Sequence, residues 1–229
     1  LTTGIKFSYD SKEYYVETNL LNKFNIYNYI TALAFVNNLG TSIEDIIGIT
    51  SKIKAPNGRN EIISVNGGKA IVDYAHTPDA VEKIITSTLE KKQGKVVTIV
   101  GCGGDRDPKK RPIMGRIATD LSDYVIFTND NPRCEDEKNI MRDILNGVSK
   151  DNYEVIHDRR VAIKKGLDMI GDNDTLLILG KGHEDYQIIG HEKIHLSDKE
   201  EVLNYIKILN RSQSNKKIKF QQKLQAHLH

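Results

Sequence analysis

Asp130-Asn131-Pro132-Arg133 sets a carboxylate, an amide and a guanidinium between an apolar run and an acidic helix start. An Arg side chain offers a planar fork of donors that matches a carboxylate. The N-terminus of the following helix adds positive potential beside it. Together these groups suit a small ligand that carries a carboxylate. The preceding Tyr124-Val125-Ile126-Phe127-Thr128 reads as a buried strand. Glu135-Asp136-Glu137 puts acid in the first helical turn, where the macrodipole favours it. Pro132 biases Asn131 toward extended backbone, so the helix starts after it. The plainer alternative is a surface turn whose Arg133 merely holds Glu135 or Asp136.

Three further stretches hold chemistry-bearing groups at the ends of apolar runs. In Gly101-Cys102-Gly103-Gly104-Asp105-Arg106-Asp107, the glycines permit close backbone approach or positive φ. Arg106 points into the same region as Arg133, unless it pairs with Asp105 or Asp107. The dinucleotide fingerprint is excluded: its sixth position is Arg106, and no acid follows at ~20 residues. In Gly180-Lys181-Gly182-His183-Glu184, Glu184 suits the ammonium of an amino acid. His183 serves either as an acid–base group or as a structural hydrogen-bonder. Lys181 lacks the preceding pattern of a phosphate-binding P-loop. In Asp73-Tyr74-Ala75-His76-Thr77-Pro78, Asp73 suits ribose hydroxyls and His76 a phosphate. The alternative there is a helix capped by Thr77 with an Asp in the turn.

The elements that position these groups follow from periodicity and turn chemistry. Ile5 to Tyr9 and Tyr14 to Thr18 alternate as a hairpin about Asp10-Ser11-Lys12. Asn28 to Leu39 has helical spacing and is closed by Gly40. Thr41-Ser42-Ile43-Glu44 carries a capping-box pattern for a short helix from Ile43 to Ile49. Lys54 to Arg59 is turn-rich and marks a domain joint. Beyond it, strands 61–65 and 70–74 flank the turn Asn66-Gly67-Gly68. Strands at 96–100, 124–128, 153–157 and 175–179 then alternate with helices at 78–91, 110–121, 136–147 and 159–170. A last helix is expected from Ser197 to Ile208. This order predicts an α/β fold, a Rossmann-like and mostly parallel sheet with helices on both faces. Such sheets bind ligands at the carboxyl ends of their strands, where four of the chemical stretches fall.

Composition narrows the classes. The 229 residues are 28% charged with a mean hydropathy of −0.45. No apolar run approaches the ~20 residues of a membrane helix, and no secretory signal is visible at Leu1. Cys102 and Cys134, the two cysteines, fit a reducing compartment, and neither has the paired spacing of a zinc site. A cytoplasmic location, no metal site and no membrane partner are expected. The formal charge of +2 misleads, because six basic residues and no acid follow Glu201. Without them, 27 basic residues face 31 acidic ones, a balance of −4, which does not suggest nucleic-acid binding. The stretch from Asn210 to His229 is polar and without clear period, and reads as disordered or as an atypical chain end.

The four stretches named above, with Lys110-Arg111-Pro112, follow the order and spacing found in the Mur ligases. The resemblance runs from about Thr3 to about Ile206, and is greatest to members that add diaminopimelate to UDP-N-acetylmuramoyl-L-alanyl-D-glutamate. It implies an ATP-dependent amide ligase of peptidoglycan assembly that works through an acyl phosphate. It implies that Arg106, Asn131 and Arg133 hold the carboxylates of the incoming amino acid, while Gly180 and Glu184 contact the rest of it. It likens Asn25 and Asn28 to the adenine-contacting segment and Arg59 to a nucleotide-side arginine, beside Asp73 and His76. Two departures stand out: Pro56-Asn57-Gly58-Arg59 is one residue longer than the usual Pro-Gly-Arg, and Asn22 replaces a usual Gly. The resemblance further implies residues 1–54 as the end of a central ATP-binding domain, 55–208 as the amino-acid-binding domain, and 209–229 as a tail. The P-loop, the ligands of Mg2+ and a UDP-binding domain are expected upstream. A monomer binding ATP, diaminopimelate and the UDP-muramoyl dipeptide is expected, inactive as this piece alone. Lysine- or lanthionine-adding ligases, or a free-standing amino-acid-binding module, remain alternatives.

Overall fold

The computed structural model describes residues 3–18, 20, 23–53 and 56–211. The chain divides into two compact units, Leu1–Asn60 and Glu61–His229, a few residues beyond the joint expected at 54/55. Asn22, Lys54, Ala55 and the tail from 212 onward lie outside the described residues.

The first unit opens with an antiparallel hairpin of β1 (Thr3–Tyr9) and β2 (Lys12–Thr18). Asp10 and Ser11 make its turn with φ of 48° and 61°, the conformation that matches the strands' right-handed twist. Helix α1 (Lys23–Asn38) starts five residues earlier than its apolar spacing suggests, and Gly40 follows it at φ +100°. Helix α2 (Ile43–Thr50) is capped by Ser42, which accepts from the Asp45 amide at 3.1 Å. The expected box through Glu44 does not form. Ser42 Oγ donates instead to Asp45 Oδ2 at 2.6 Å, and Glu44 pairs with Lys12. Ile5, Val16, Leu20, Tyr29, Leu33, Ile43 and Ile46 form this unit's core.

The second unit is built on β3 (Glu61–Val65), β4 (Gly68–Asp73), β5 (Val96–Val100), β6 (Tyr124–Phe127), β7 (Tyr153–Val155) and β8 (Thr175–Leu179). Their order in the sheet is β3-β4-β8-β5-β6-β7, and every pairing is parallel except the β3–β4 hairpin. Asn66 and Gly67 turn that hairpin at φ of 54° and 78°. β5 and β8 are buried along their whole length, so apolar side chains cover both faces. Val96 and Val100 face the core of α3 (Pro78–Leu89), α4 (Lys110–Leu121) and α5 (Glu137–Leu145). Val97 and Ile99 face the core under α6 (Arg159–Met169) and the last helix α7, which spans 198–211. Residues 209–211, expected in the tail, thus complete α7. Alternating sides of one strand sort residues between two cores, which is what makes this a three-layer unit.

A second hairpin, β9 (Tyr186–Ile189) with β10 (Glu192–His195), has no counterpart in the sequence reading. β10 is exposed throughout, so it lacks the apolar alternation that marks a half-buried strand.

Candidate functional site

The adjacent strands β4, β8, β5 and β6 end at the same edge of the sheet, and their loops surround a cleft of about 410 Å³. Its walls include His76, Arg106, Asp130, Asn131, Arg133, Gly180 and Glu184, all but Asp130 site residues expected from the sequence. Tyr74, Thr77, Gly101, Cys102, Gly103, Lys110 and Tyr186 complete them.

The loop after β6 is held rigidly. Arg133 has φ +53°, which a long side chain adopts only when its surroundings over-determine it. Its Nη1 donates to the Gly104 carbonyl at 2.9 Å and, more weakly, to that of Asn131 at 3.4 Å. Gly104 N donates in return to the Asn131 carbonyl at 2.9 Å. Arg133 therefore does not hold Glu135 or Asp136, the plainer alternative. That task falls to Arg111 in α4, whose guanidinium meets both Glu135 oxygens at 2.6 Å and Asp143 at 2.9 Å. The Arg111 hydrogen bonds hold the Glu135 carboxyl below its ordinary range, and Glu135 in turn raises the Arg111 guanidinium. Glu135 also accepts from the Asp105 amide at 3.0 Å. The glycine loop and the Arg133 loop are thereby tied into one wall. Arg106 stands exposed on that wall and donates only to the Asp105 carbonyl, at 3.1 Å, with no carboxylate partner among the described residues.

Across the cleft, Lys181 joins two stretches that are distant in sequence. Its side chain is fully buried, and its ammonium donates to Asn131 Oδ1 at 3.1 Å and to Glu184 Oε2 at 3.2 Å. Asn131 Nδ2 donates to the same Glu184 oxygen at 3.0 Å, and Ile188 N to Asn131 Oδ1 at 3.0 Å. Asn131 is thus largely committed to shaping the wall, while Glu184 Oε1 has no hydrogen bond among the described residues. Two accepted hydrogen bonds hold the Glu184 carboxylate aimed, which suits it to meet an ammonium. The charge of Glu184, with burial, raises the Tyr186 hydroxyl above its ordinary value. Gly180 has φ +115°, and a Cβ there would lie 2.8 Å from Asp130 Oδ2, so the position is made for glycine. Burial pushes the Cys102 thiol up to about 12, so the cysteine in the cleft wall is no nucleophile at neutral pH.

Beneath the loop after β8, Arg159 and Asp198 form a fully buried two-bond pair at 2.7 Å. Arg159 also donates to the Leu179 carbonyl at 3.0 Å, bracing the strand end from below. Burial alone would lower the Arg159 guanidinium, but the Asp198 charge outweighs it and the net direction is upward.

The remaining expected residues are placed as follows. Asp73 Oδ1 accepts from the Ala75 amide at 2.8 Å at the end of β4, outside the cleft wall. His76 bonds the Tyr74 carbonyl through Nδ1 at 2.7 Å, and Lys110 donates to the His76 carbonyl at 3.0 Å. His183 is exposed and lies tilted against the Tyr74 ring at 5.2 Å, with no carboxylate to orient it among the described residues. Thr77 caps α3, as the alternative for that stretch held. Asn25 and Asn28 sit on α1 and Arg59 in the turn at the end of the first unit. The sequence reading missed Lys181 and Tyr186 as parts of the site. A lysine inside a glycine-flanked strand end was the available signal for the first.

A mostly parallel sheet that gathers two arginines and a glutamate around one cleft at its strand ends defines an α/β domain with a charged ligand-sized site. A family model described as "Mur ligase, glutamate ligase domain" matches residues 58–182, over half of the chain, and the chain belongs to the Mur ligase family. It is 47% identical over 188 residues to a UDP-N-acetylmuramoyl-L-alanyl-D-glutamate–2,6-diaminopimelate ligase of Fusobacterium nucleatum, covering 81% of this chain and 39% of that protein. A solved structure of a ligase with the same name is similar at a TM-score of 0.67 and 34% identity, over 90% of this chain and 43% of the other. A MurF ligase of Thermotoga maritima, solved in complex with ADP, shares the fold at a TM-score of 0.58 and 18% identity, over 78% of this chain and 40% of the other. The chain spans about two fifths of the length of the curated relatives it matches.

Proposed function

We propose that this chain is the amino-acid-binding part of an ATP-dependent ligase that joins meso-diaminopimelate to UDP-N-acetylmuramoyl-L-alanyl-D-glutamate. The observation that carries this is one cleft lined by Arg106, Arg133 and Glu184. Two guanidiniums and one carboxylate complement a ligand with two carboxylates and an ammonium. The names of the relatives at 47% and 34% identity support the same choice of substrate.

In this role Arg133 takes the distal carboxylate, Arg106 the other, and Glu184 an ammonium. The residues hold and orient the ligand so that its free amine meets the activated carboxyl of the muramoyl peptide. They do not themselves take a proton from the nucleophile, and His183 lacks the carboxylate that would orient a general base. ATP activates that carboxyl. The resemblance assigns it to Asn25, Asn28, Arg59, Asp73 and His76, a donor set chemically suited to adenine and ribose. Among the described residues no group of three or more His, Cys, Asp or Glu could hold a metal ion. The resemblance assigns the ligands of the Mg2+ that accompanies ATP to other parts of the full enzyme. Residues up to about 60 are read as the end of the ATP-binding domain and those beyond as the amino-acid domain. A cytoplasmic monomer fits a UDP-linked substrate, and no described helix is long and apolar enough to cross a membrane.

The test is a full-length enzyme carrying these residues, assayed with meso-diaminopimelate and with lysine. Lysine leaves a partly desolvated Arg133 without its carboxylate, a loss of about 2–5 kcal/mol, hence roughly 30-fold or more in kcat/KM. The wild type should show that preference and Arg133→Ala should lose it. Equal use of lysine by the wild type would refute the assignment.

A further inference from the structure

The β9–β10 hairpin forms a sheet of its own among the described residues, separate from the six-stranded sheet, and β10 is exposed along its length. A lone two-stranded hairpin has little stability in water. The Arg133 loop holds this one along β9, residue against residue, while Arg160 donates to the His195 carbonyl at the end of β10. Gln187 Nε2 donates to the Asp130 carbonyl at 2.6 Å, and Ile188 N to Asn131 Oδ1 at 3.0 Å. Arg133 N donates to the Ile188 carbonyl at 3.0 Å, and Gly190 N to the Arg133 carbonyl at 2.7 Å. The last two bonds bracket the one residue of the loop that stands in the left-handed region. Of the four hairpin groups, three belong to the backbone. The fourth is the side chain of Gln187, which is buried and is not part of the cleft wall.

We propose that Gln187 is a positioning residue for the carboxylate end of the ligand. Its amide anchors the hairpin to Asp130, and the hairpin holds Arg133 in the backbone conformation from which its guanidinium meets the cleft. This rests on the amino-acid reading of the cleft given above. The bond spans 57 residues of sequence and ends one residue before the Asn131 amide, so it acts on the loop and not on the sheet core. Its loss should move ligand choice more than stability.

The test uses the full-length ligase carrying these residues. Gln187→Met keeps the length and apolar contact and removes the donor. Its KM for meso-diaminopimelate should rise about tenfold, as for one buried hydrogen bond, with kcat within about twofold. The KM for lysine, which has no distal carboxylate, should stay, so the preference falls by the same factor. In an Arg133→Ala background, adding Gln187→Met should change nothing, since the group it positions is gone. Gln187→Glu, which cannot donate when ionised, should act in the same direction. Unchanged preference in Gln187→Met overturns the proposal, as does an equal loss for both amino acids or a large fall in melting temperature. A wild-type enzyme with no diaminopimelate preference would instead bring down the cleft reading, and the proposal with it.

Discussion

Gly103 and Gly104 are neighbours whose replacement by alanine should have opposite consequences. Neither has a positive φ, so the effect of an added Cβ is steric alone. On Gly104 the Cβ would lie 1.9 Å from the Pro132 carbonyl oxygen, 2.8 Å from its carbon and 3.0 Å from Glu135 Cβ. Backbone cannot swing aside, so the two loops must separate. That breaks the Gly104 N bond to Asn131 and the Arg133 bond to the Gly104 carbonyl, both 2.9 Å. Two hydrogen bonds at about 1 kcal/mol each, with about 1–3 kcal/mol of overpacking, give about 3–5 kcal/mol. For a unit of this size that is roughly 6–20 °C in Tm. On Gly103 the Cβ would lie 2.9 Å from Arg133 Nη1, and its next contacts, at 3.7 and 3.8 Å, are ordinary. A guanidinium tip moves at small cost, so Gly103→Ala should lose under about 1 kcal/mol. It should nevertheless displace the guanidinium proposed to meet the ligand carboxylate, and on that proposal raise the KM for diaminopimelate about tenfold in the full-length enzyme. Thermal unfolding followed by circular dichroism separates the two variants. If Gly104→Ala melted with the wild type, or both variants fell equally, the picture of one welded wall would be wrong.

Removing one partner of the buried Arg159–Asp198 pair, as in Arg159→Met, should destabilise the second unit by about 3–5 kcal/mol, because Asp198 is left buried without its partner. Arg159→Met with Asp198→Leu should recover much of that in urea unfolding, and a double variant no better than the single would contradict it. The Glu135 carboxyl, held low first by its hydrogen bond to Arg111, contributes stability that is present above its unfolded value of about 4.3 and lost as pH falls through the depressed folded value. Glu135→Gln should therefore flatten part of the decline in the urea midpoint below about pH 4, and an unchanged slope would show that the pair carries no linkage.

Much of the fold is legible in the sequence. The largely apolar runs of β5 and β8 and the Asn66-Gly67 turn each depend on a few adjacent residues. Local steric and burial preferences set them, so spacing alone revealed them. The placing of Arg106, Arg133 and Glu184 around one cleft followed from strand-end topology and from the motif pattern. Other features depended on meetings that no local rule describes. Asn131 and Glu184 are 53 residues apart, and Arg159 and Asp198 are 39 apart. Only the folded chain shows that the Asn131 amide is taken up by Lys181, Glu184 and Ile188, and that Arg111 rather than Arg133 serves Glu135. The β9–β10 hairpin belongs to the same class. Its residues lack strand periodicity because its order comes from hydrogen bonds to the Arg133 loop, and a bond to a distant loop leaves no period in the sequence. Sequence determined which elements form and which chemical groups stand at their ends. Tertiary structure decided which of those groups line the cleft and which are consumed in holding the others still, because hydrogen-bond capacity is allotted only once distant segments meet.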